Sequence, residues 1–340
     1  MRVLALNSGS SSLKAAVRDR ADGDPAVATT VERVTDFAAA LDEVAEQVAE
    51  HGGVPDAVAH RVVHGGPRHR RPTVVDDQLL ADLRELVPLA PLHLPQSIDT
   101  IVTAQRRWPD ATHVACFDTG FHETLPDAAQ RLAVPRELAD LGIRRYGFHG
   151  LSVQSILLAR PSLGNVVVAH LGSGCSVTAV AADGRSRYTT MSFTPTAGMM
   201  SATRSGDLDP EIALYLIEQH GWSTAQIREA FNKSSGLAGV SGGRHDVRDL
   251  LAADDAAAAL ALEMFVADTA RAIAACSTAL ERWDALVFTG GVGQHSTELR
   301  ERVLARLRLD GVHVEVVAAD EERVMDRQAR RLLTGGGSAG

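Results

Sequence analysis

Four stretches of the chain are too polar for a buried core: HRVVHGG at 60–66, FDTGFHETLP at 117–126, RRYGFHG at 144–150 and TRSGDLDP at 203–210. Arg61 falls inside an apolar strand pattern, where a guanidinium is costly unless an anion meets it. Asp118 follows the strand-like run HVACF, at the C-terminal end where open α/β sheets present side chains to ligands. A turn-starting or capping aspartate would look the same. Arg204 precedes Ser-Gly-Asp in a loop, ahead of a helix that Asp209 and Pro210 announce. His149 sits in a Gly-Phe-His-Gly turn. Arginine in such places suits anion binding, because its planar fork meets two oxygens at once.

Small-residue turns supply a second kind of site. Residues 2–7 read as a buried strand, followed by Gly9 with a serine run, then a second strand near 13–18 that carries Lys14. Residues 165–171 repeat the plan with the turn GSGCS at 172–176, and VTAVAAD follows. Backbone N–H groups and hydroxyls crowded at such a tip suit phosphate. A plain hairpin explains either copy alone; the two together favour phosphate and suggest duplicated domains. A third element, LVFTGGVGQHS at 286–296, follows a strand and opens an amphipathic helix over 297–308, which places a helix N-terminus beside a ligand. It has neither Walker nor Rossmann spacing. His60, His64 and His69, or His113 with Cys116, could suggest a metal hydrolase. The pair His60 and His64 lacks the glutamate of HExxH and sits on an apparent strand, which sets the two apart.

The elements that position these groups alternate between strand and helix. Helices are expected at roughly 36–51, 76–86, 97–107, 209–220, 224–232 and 255–282, which makes the class α/β. The last helix carries an apolar stripe at Leu260, Met264, Ala267, Ala270, Ile273 and Ala274, expected in a core or an interface. The chain has 340 residues, 45% apolar and 23% charged, enough for two globular domains. A net charge of −9 argues against a nucleic-acid partner. Positive charge must then be concentrated locally, as the arginine motifs do. Cys116, Cys175 and Cys276 lack metal-type spacing and suit a reducing compartment. The N-terminus has no leader pattern and no segment approaches membrane-spanning length, so a cytoplasmic protein without a membrane partner is expected. Two lysines among 34 basic residues, Lys14 and Lys233, are expected in small-residue loops.

In order, LNSGSSSLK (6–14), HRVVHGG, LAPLH (89–93), FDTGFH, YGFHG, HLGSGCS (170–176), FTP (193–195), TRSGDLDP, NKSSGLAGVSG (232–242) and FTGGVG (288–293) resemble the motif series of acetate kinases. The resemblance runs from residue 2 to about residue 325. It implies the acetate/sugar kinase, Hsp70 and actin fold, with two duplicated ribonuclease H-like domains around a central cleft. Residues 1–150, completed by 320–334, would form an acyl- and phosphate-binding domain, and 151–319 a nucleotide-binding domain, with 335–340 a disordered tail. The implied activity is ATP-dependent phosphorylation of acetate to acetyl phosphate with Mg2+, or Mn2+ in its place. Propionate or another small carboxylate is the alternative acceptor, and a non-catalytic nucleotide switch a more distant one. A homodimer is implied, with the 255–282 helix a candidate interface.

Carried over residue by residue, the resemblance gives each motif a role. Asn7 and Glu321 would serve the metal, with Ser10, Ser12 and Lys14 near the phosphates. Arg61 and Arg204 would bind the carboxylate and the transferring phosphoryl group. Asp118 would position metal or substrate, and His149 would hydrogen-bond the phosphoryl group, supported by His93 and His170. Val63, Leu92, Phe148 and Pro195 match the acyl pocket. His170, Gly172, Ser173, Gly174 and Gly293 belong to the phosphate loops, and Asp246, Arg248, Gly291 and Val292 to the adenosine site. The chain departs from the family at Leu94, Leu151, Val153, Ser173, Ala197, Gln294 and His295. The implied chemistry needs no general base, since a small carboxylic acid is ionised at pH 7. Its obstacle is charge repulsion. Opposite charges 4 Å apart attract by about 1 kcal/mol in water and about 4 kcal/mol at an effective dielectric near 20, so two arginines and a cation can offset it.

Overall fold

The computed structural model describes residues 1–9, 12–32, 34–51, 53–91 and 93–335. Leu92, Ser10 and residues 336–340 of the expected tail lie outside the described residues. The chain divides into two compact units. The first comprises Met1–Glu123, His149–Ser155 and the chain from Asp320 onward; the second comprises Thr124–Phe148 and Ile156–Ala319.

The first unit is built on strands β1 (Val3–Ser8), β2 (Ser12–Arg18), β3 (Val27–Glu32), β4 (Ala57–Val62), β5 (Thr73–Val74) and β6 (Thr112–Phe117), ordered β3-β2-β1-β4-β6-β5. β1, β2 and β3 are antiparallel, whereas β4 and β6 run parallel to β1. Both faces of the sheet are covered, and the side-chain alternation of a strand sorts its residues between them. Leu4 and Leu6 pack with Leu41, Val44 and Val48 of the helix Phe37–Glu50, which Asp36 caps. Val3, Ala5, Ala57, Ala59 and Cys116 pack instead with Val324, Met325 and Ala329 of the C-terminal helix Glu321–Leu333. By the same alternation Asn7 and Arg61 share the face of that helix, which begins with two glutamates.

The second unit repeats the order with β7 (Val166–Leu171), β8 (Cys175–Val180), β9 (Ser186–Thr189), β10 (Ala285–Thr289) and β11 (His313–Val316), arranged β9-β8-β7-β10-β11. Three antiparallel strands are again followed by two parallel ones. Each unit therefore has the ribonuclease H-like plan of the actin, Hsp70 and sugar kinase fold. The connections differ. In the first unit β3 is joined to β4 by residues 33–56 with one helix; in the second β9 is joined to β10 by residues 190–284 with five helices. Val167, Ala169, Leu171, Val177 and Ala179 form a core with Phe265, Val266 and Ile273 of the helix Ala256–Ser277.

Some local expectations need correction. The long helix ends at Ser277, and its buried face runs through Ala258, Ala261, Leu262, Phe265, Val266, Thr269, Ala270, Ile273 and Cys276. Leu260 and Met264 are 53% and 41% exposed. Alanine on every side of this helix blurs the apolar periodicity from which a face is read. The glycine-rich stretch after β10 is itself a short helix, Gly290–His295, and the helix expected over 297–308 starts at Thr297 but ends at Leu304. Lys14 lies on β2 and Lys233 ends the helix Thr224–Lys233, so neither is in a loop.

Candidate active site

In the first unit, polar groups from three strand ends and one helix start converge on Arg61. Its Nε and Nη2 donate to Asp118 Oδ2 at 2.9 and 2.6 Å, and its Nη1 donates to Asn7 Oδ1 at 3.0 Å. Asn7 Nδ2 donates in turn to Glu321 Oε2 at 2.8 Å and to Glu322 Oε1 at 2.7 Å. Glu321 also stands 3.9 Å from Arg61 Nε. Residues more than 300 positions apart meet because the C-terminal helix covers the sheet face onto which Asn7 and Arg61 project. Lys14 pairs in register with Asn7, and Ser12 begins the same strand.

Burial and neighbouring charge shift the titration of Asp118, Glu322 and Arg61. Burial pushes the Asp118 carboxyl up, to about 6, against the pull of Arg61 and with a further push from Glu321. Glu322 is also raised, first by burial and then by Glu321. Arg61 is raised although burial opposes its charge, chiefly through Asp118 and then Glu321. Asp118 Oδ1 is buried and accepts no hydrogen bond. Among the described residues no group of three or more His, Cys, Asp or Glu side chains is arranged to hold a metal ion.

His149 enters this unit beside Asp118. Gly150 N donates to Asp118 O at 2.9 Å, and a Cβ on Gly150 would stand 2.3 Å from that oxygen. Only glycine allows this approach. His149 has φ 59, a left-handed conformation sparse among residues with a Cβ. Strain of this kind is characteristic of functional positions. His93 precedes the helix Leu94–Arg107 and accepts from Ser97 N through its carbonyl. Val63 is buried in this unit.

The second unit holds the remaining predicted residues. Arg204 Nη1 donates to Pro195 O at 3.4 Å, which places these two together; Phe148 is buried. His170 is the penultimate residue of β7, opposite Ser176 of β8 and Thr289 of β10. Gly290, with φ 77, approaches the Leu171 carbonyl so closely that a Cβ would lie 2.5 Å from it, which brings the loop after β10 against the loop after β7. Beside these loops is a cavity of about 610 Å3. Gly172, Ser173, Asp246, Arg248, Gly291 and Val292 all line it. Gly293 instead packs on Leu171, and Gly174 accepts from Gly172 N. Asp246 caps the helix Val247–Ala252 and holds Arg248 in an ion pair at 2.5 Å.

Sequence reasoning missed several contributors. Glu322 is as closely bound to Asn7 as Glu321 is, and the adjacent pair of glutamates was the available signal. Leu237, Phe265 and His245 line the cavity, but Leu237 and Phe265 have only the signature of core residues. The departures Leu94, Leu151 and Val153 are all fully buried, so they fill core space. Ser173 and His295 line the cavity. The histidines of the metal-hydrolase alternative are engaged elsewhere. His60 Nε2 meets His113 Nδ1 at 2.9 Å, His64 Nδ1 accepts from Gly66 N, and His69 pairs with Asp82.

An arginine at a strand end held by a carboxylate and an amide, together with a glycine-bordered cavity on a duplicated ribonuclease H-like scaffold, fits a small-molecule kinase of the actin and sugar kinase class. Residues 25–332 match the acetokinase family model, and the chain belongs to that family. It is a phosphotransferase with a carboxyl group as acceptor. It is 42% identical to acetate kinase from Rhodopseudomonas palustris (strain TIE-1) over 310 residues, covering 82% of this chain and 78% of that one. A crystal structure of a propionate kinase from Francisella tularensis subsp. tularensis SCHU S4 superposes with a TM-score of 0.88 at 31% identity, covering 96% of this chain and 98% of that chain. Acetate kinase from Porphyromonas gingivalis gives a TM-score of 0.83 at 29% identity, covering 98% and 99%.

Proposed function

We propose that the protein converts acetate and ATP to acetyl phosphate and ADP by direct in-line transfer. A carboxylate oxygen attacks the γ-phosphorus, the bond to the β–γ bridging oxygen breaks, and ADP leaves with that electron pair. No proton need move. The observation that supports this best is Arg61, held by Asp118 and Asn7 at the ends of β4, β6 and β1. A guanidinium fixed by a carboxylate and an amide is pre-organised to meet an anion without rearranging. Arg204 supplies the second guanidinium, and His149 a hydrogen bond to the phosphoryl group. Val63, Phe148 and Pro195 form the acyl pocket, and the cavity lined by Asp246, Arg248, Gly291 and Val292 takes the adenosine.

Asn7, Asp118 and Glu321 offer hard oxygen donors, and the unpartnered Asp118 Oδ1 fits a cation that keeps most of its waters, as Mg2+ does. When bound, the ion offsets charge on the phosphate oxygens. His93, His170, Ser12 and Lys14 support the same phosphate end. The helix Glu211–His220 buries none of its residues, and Ile212, Leu214, Tyr215 and Ile217 are exposed along it. We assign this apolar face to a second copy in a homodimer. Three buried free thiols suit the cytoplasm. Among the described residues no helix is long and apolar enough to cross a membrane.

Hydroxylamine trapping with Mg-ATP and a panel of formate, acetate, propionate and butyrate tests the proposal. Acetohydroxamate formation, lost in Arg204→Ala, is the expected result. Preference for propionate would favour the acceptor named for the Francisella neighbour. Tight ATP binding with no hydroxamate from any acid would replace the kinase by a nucleotide switch.

A further inference from the structure

Arg145 lies four residues before His149 and has an unusual set of partners. Its Nη1 donates to Thr189 O at 2.8 Å, to Thr190 O at 3.1 Å and, at 3.5 Å, to Met191 O. Its Nε donates to Ala129 O at 3.1 Å, and its Nη2 to Tyr188 Oη at 3.1 Å. The guanidinium also lies 4.6 Å from the centre of the Tyr188 ring, within the range of a cation–π contact. Its own backbone N–H donates to Gln130 O at 2.7 Å. The side chain is half-buried, and among the described residues it makes no ion pair.

The two segments this side chain joins are those that lead to the acyl pocket. Directly after Arg145, the N–H groups of Tyr146 and Gly147 both donate to Ser192 O, at 3.0 and 3.4 Å, and Phe148 follows. From Ser192 the chain continues through Phe193 to Pro195, whose carbonyl accepts from Arg204. We infer that Arg145 is a positioning residue: its guanidinium fixes the end of β9 against the segment carrying Phe148, and so sets the places of Pro195 and Arg204. Only a planar fork can reach carbonyls of consecutive residues and a phenol together. A lysine would keep the charge and lose the geometry. With no carboxylate to neutralise it, the guanidinium also adds positive potential near groups that must meet anions.

The inference rests on the carboxylate kinase function for its kinetic readout, and wild-type turnover in the same assay tests that function separately. Arg145→Ala and Arg145→Lys would be compared with wild type in full-length protein, with thermal midpoints recorded. In Arg145→Ala the carboxylate KM should rise about tenfold and kcat fall about a hundredfold, the order expected when a catalytic group is displaced by an ångström. The ATP KM should stay within about twofold, because no lining residue of the cavity belongs to the segments Arg145 ties. Arg145→Lys should be intermediate in kcat with a nearly unchanged midpoint. Wild-type kcat and carboxylate KM in both variants, whatever their midpoints, would overturn the inference. An equal rise in both KM values would do so too, since it marks a general loss of packing. If Arg145→Ala does not fold, Arg145→Lys decides by the same kinetic criteria.

Discussion

Arg61 makes both of its bonds to Asp118 on one oxygen, Oδ2, and leaves Oδ1 buried and unpartnered. One oxygen of the carboxylate thus orients the guanidinium, and the other is the candidate cation contact of the proposed function. Removing the guanidinium should therefore do more than delete one contact. Arg61→Ala leaves Asp118, Glu321 and Glu322 crowded without their cation, and kcat should fall by about a thousandfold or more. The thermal midpoint should drop further at about pH 8 than at about pH 6, where protonation relieves the crowding. A midpoint loss independent of pH would show that repulsion among the three is unimportant.

The raised Asp118 carboxyl predicts an acid limb in the activity. As pH falls through about 6, Asp118 takes up a proton, its hold on Arg61 weakens, and kcat/KM for the carboxylate should decline. The substrate itself stays ionised to near pH 5 or roughly so, so the two effects are separable. Asp118→Asn should lower activity throughout and remove the limb. A limb that persists in Asp118→Asn would assign the titration to another group.

His60 and His113 stack at 5.2 Å between ring centres, and His113 Nε2 donates to Trp108 O. With both rings neutral, that bond makes His113 Nδ1 the acceptor and His60 Nε2 the donor. Burial is the first cause of the lowered pKa of each, and for His60 the neighbouring His113 adds to it. The unfolded chain takes up protons near pH 6.5 while the native one does not. Stability is therefore complete above that pH and is lost as pH falls below it. The urea midpoint should decline from about pH 7.5 to about pH 5.5, and the double variant His60→Leu, His113→Leu should show a flatter decline.

Two glycines should respond to substitution in opposite ways. Gly150→Ala drives a Cβ into Asp118 O and should destabilise by about 2 kcal/mol or more, with loss of activity from displaced His149. At Gly291 an added Cβ meets nothing within 4 Å. Gly291→Val should fold normally and raise the ATP KM about tenfold at an unchanged carboxylate KM, by occupying adenosine space. An unchanged ATP KM would move the donor out of this cavity.

Much of this organisation is legible in the residues. β1 and β2, and β7 and β8, follow from apolar runs around small-residue turns, Arg61 from charge placed where a strand should be apolar, and Asp118 from its place at the C-terminal end of a strand. Six cavity residues follow from their motif positions. The partnership of Asn7 with Glu322 does not, because it depends on a helix from the far end of the chain packing onto one face of a sheet. Nor does the exposed side of the helix Ala256–Ser277, since alanine fits either side of a packed helix equally well. The clamp made by Arg145 is hidden for a third reason: apart from Tyr188 its acceptors are backbone carbonyls, which leave no trace in side-chain identity.

The unequal connections at one topological point have a further consequence. Both units share one strand plan, yet Arg204, Pro195 and half of the cavity lining come from residues 190–284, whereas the equivalent stretch of the first unit is a single short crossover. The same length of chain also builds the core: Leu237, Val247 and Phe265 line the cavity and pack with the strands of the second unit. Substitution at such a position changes the cavity wall and the core together, so a new wall shape is reached only through a repacked core.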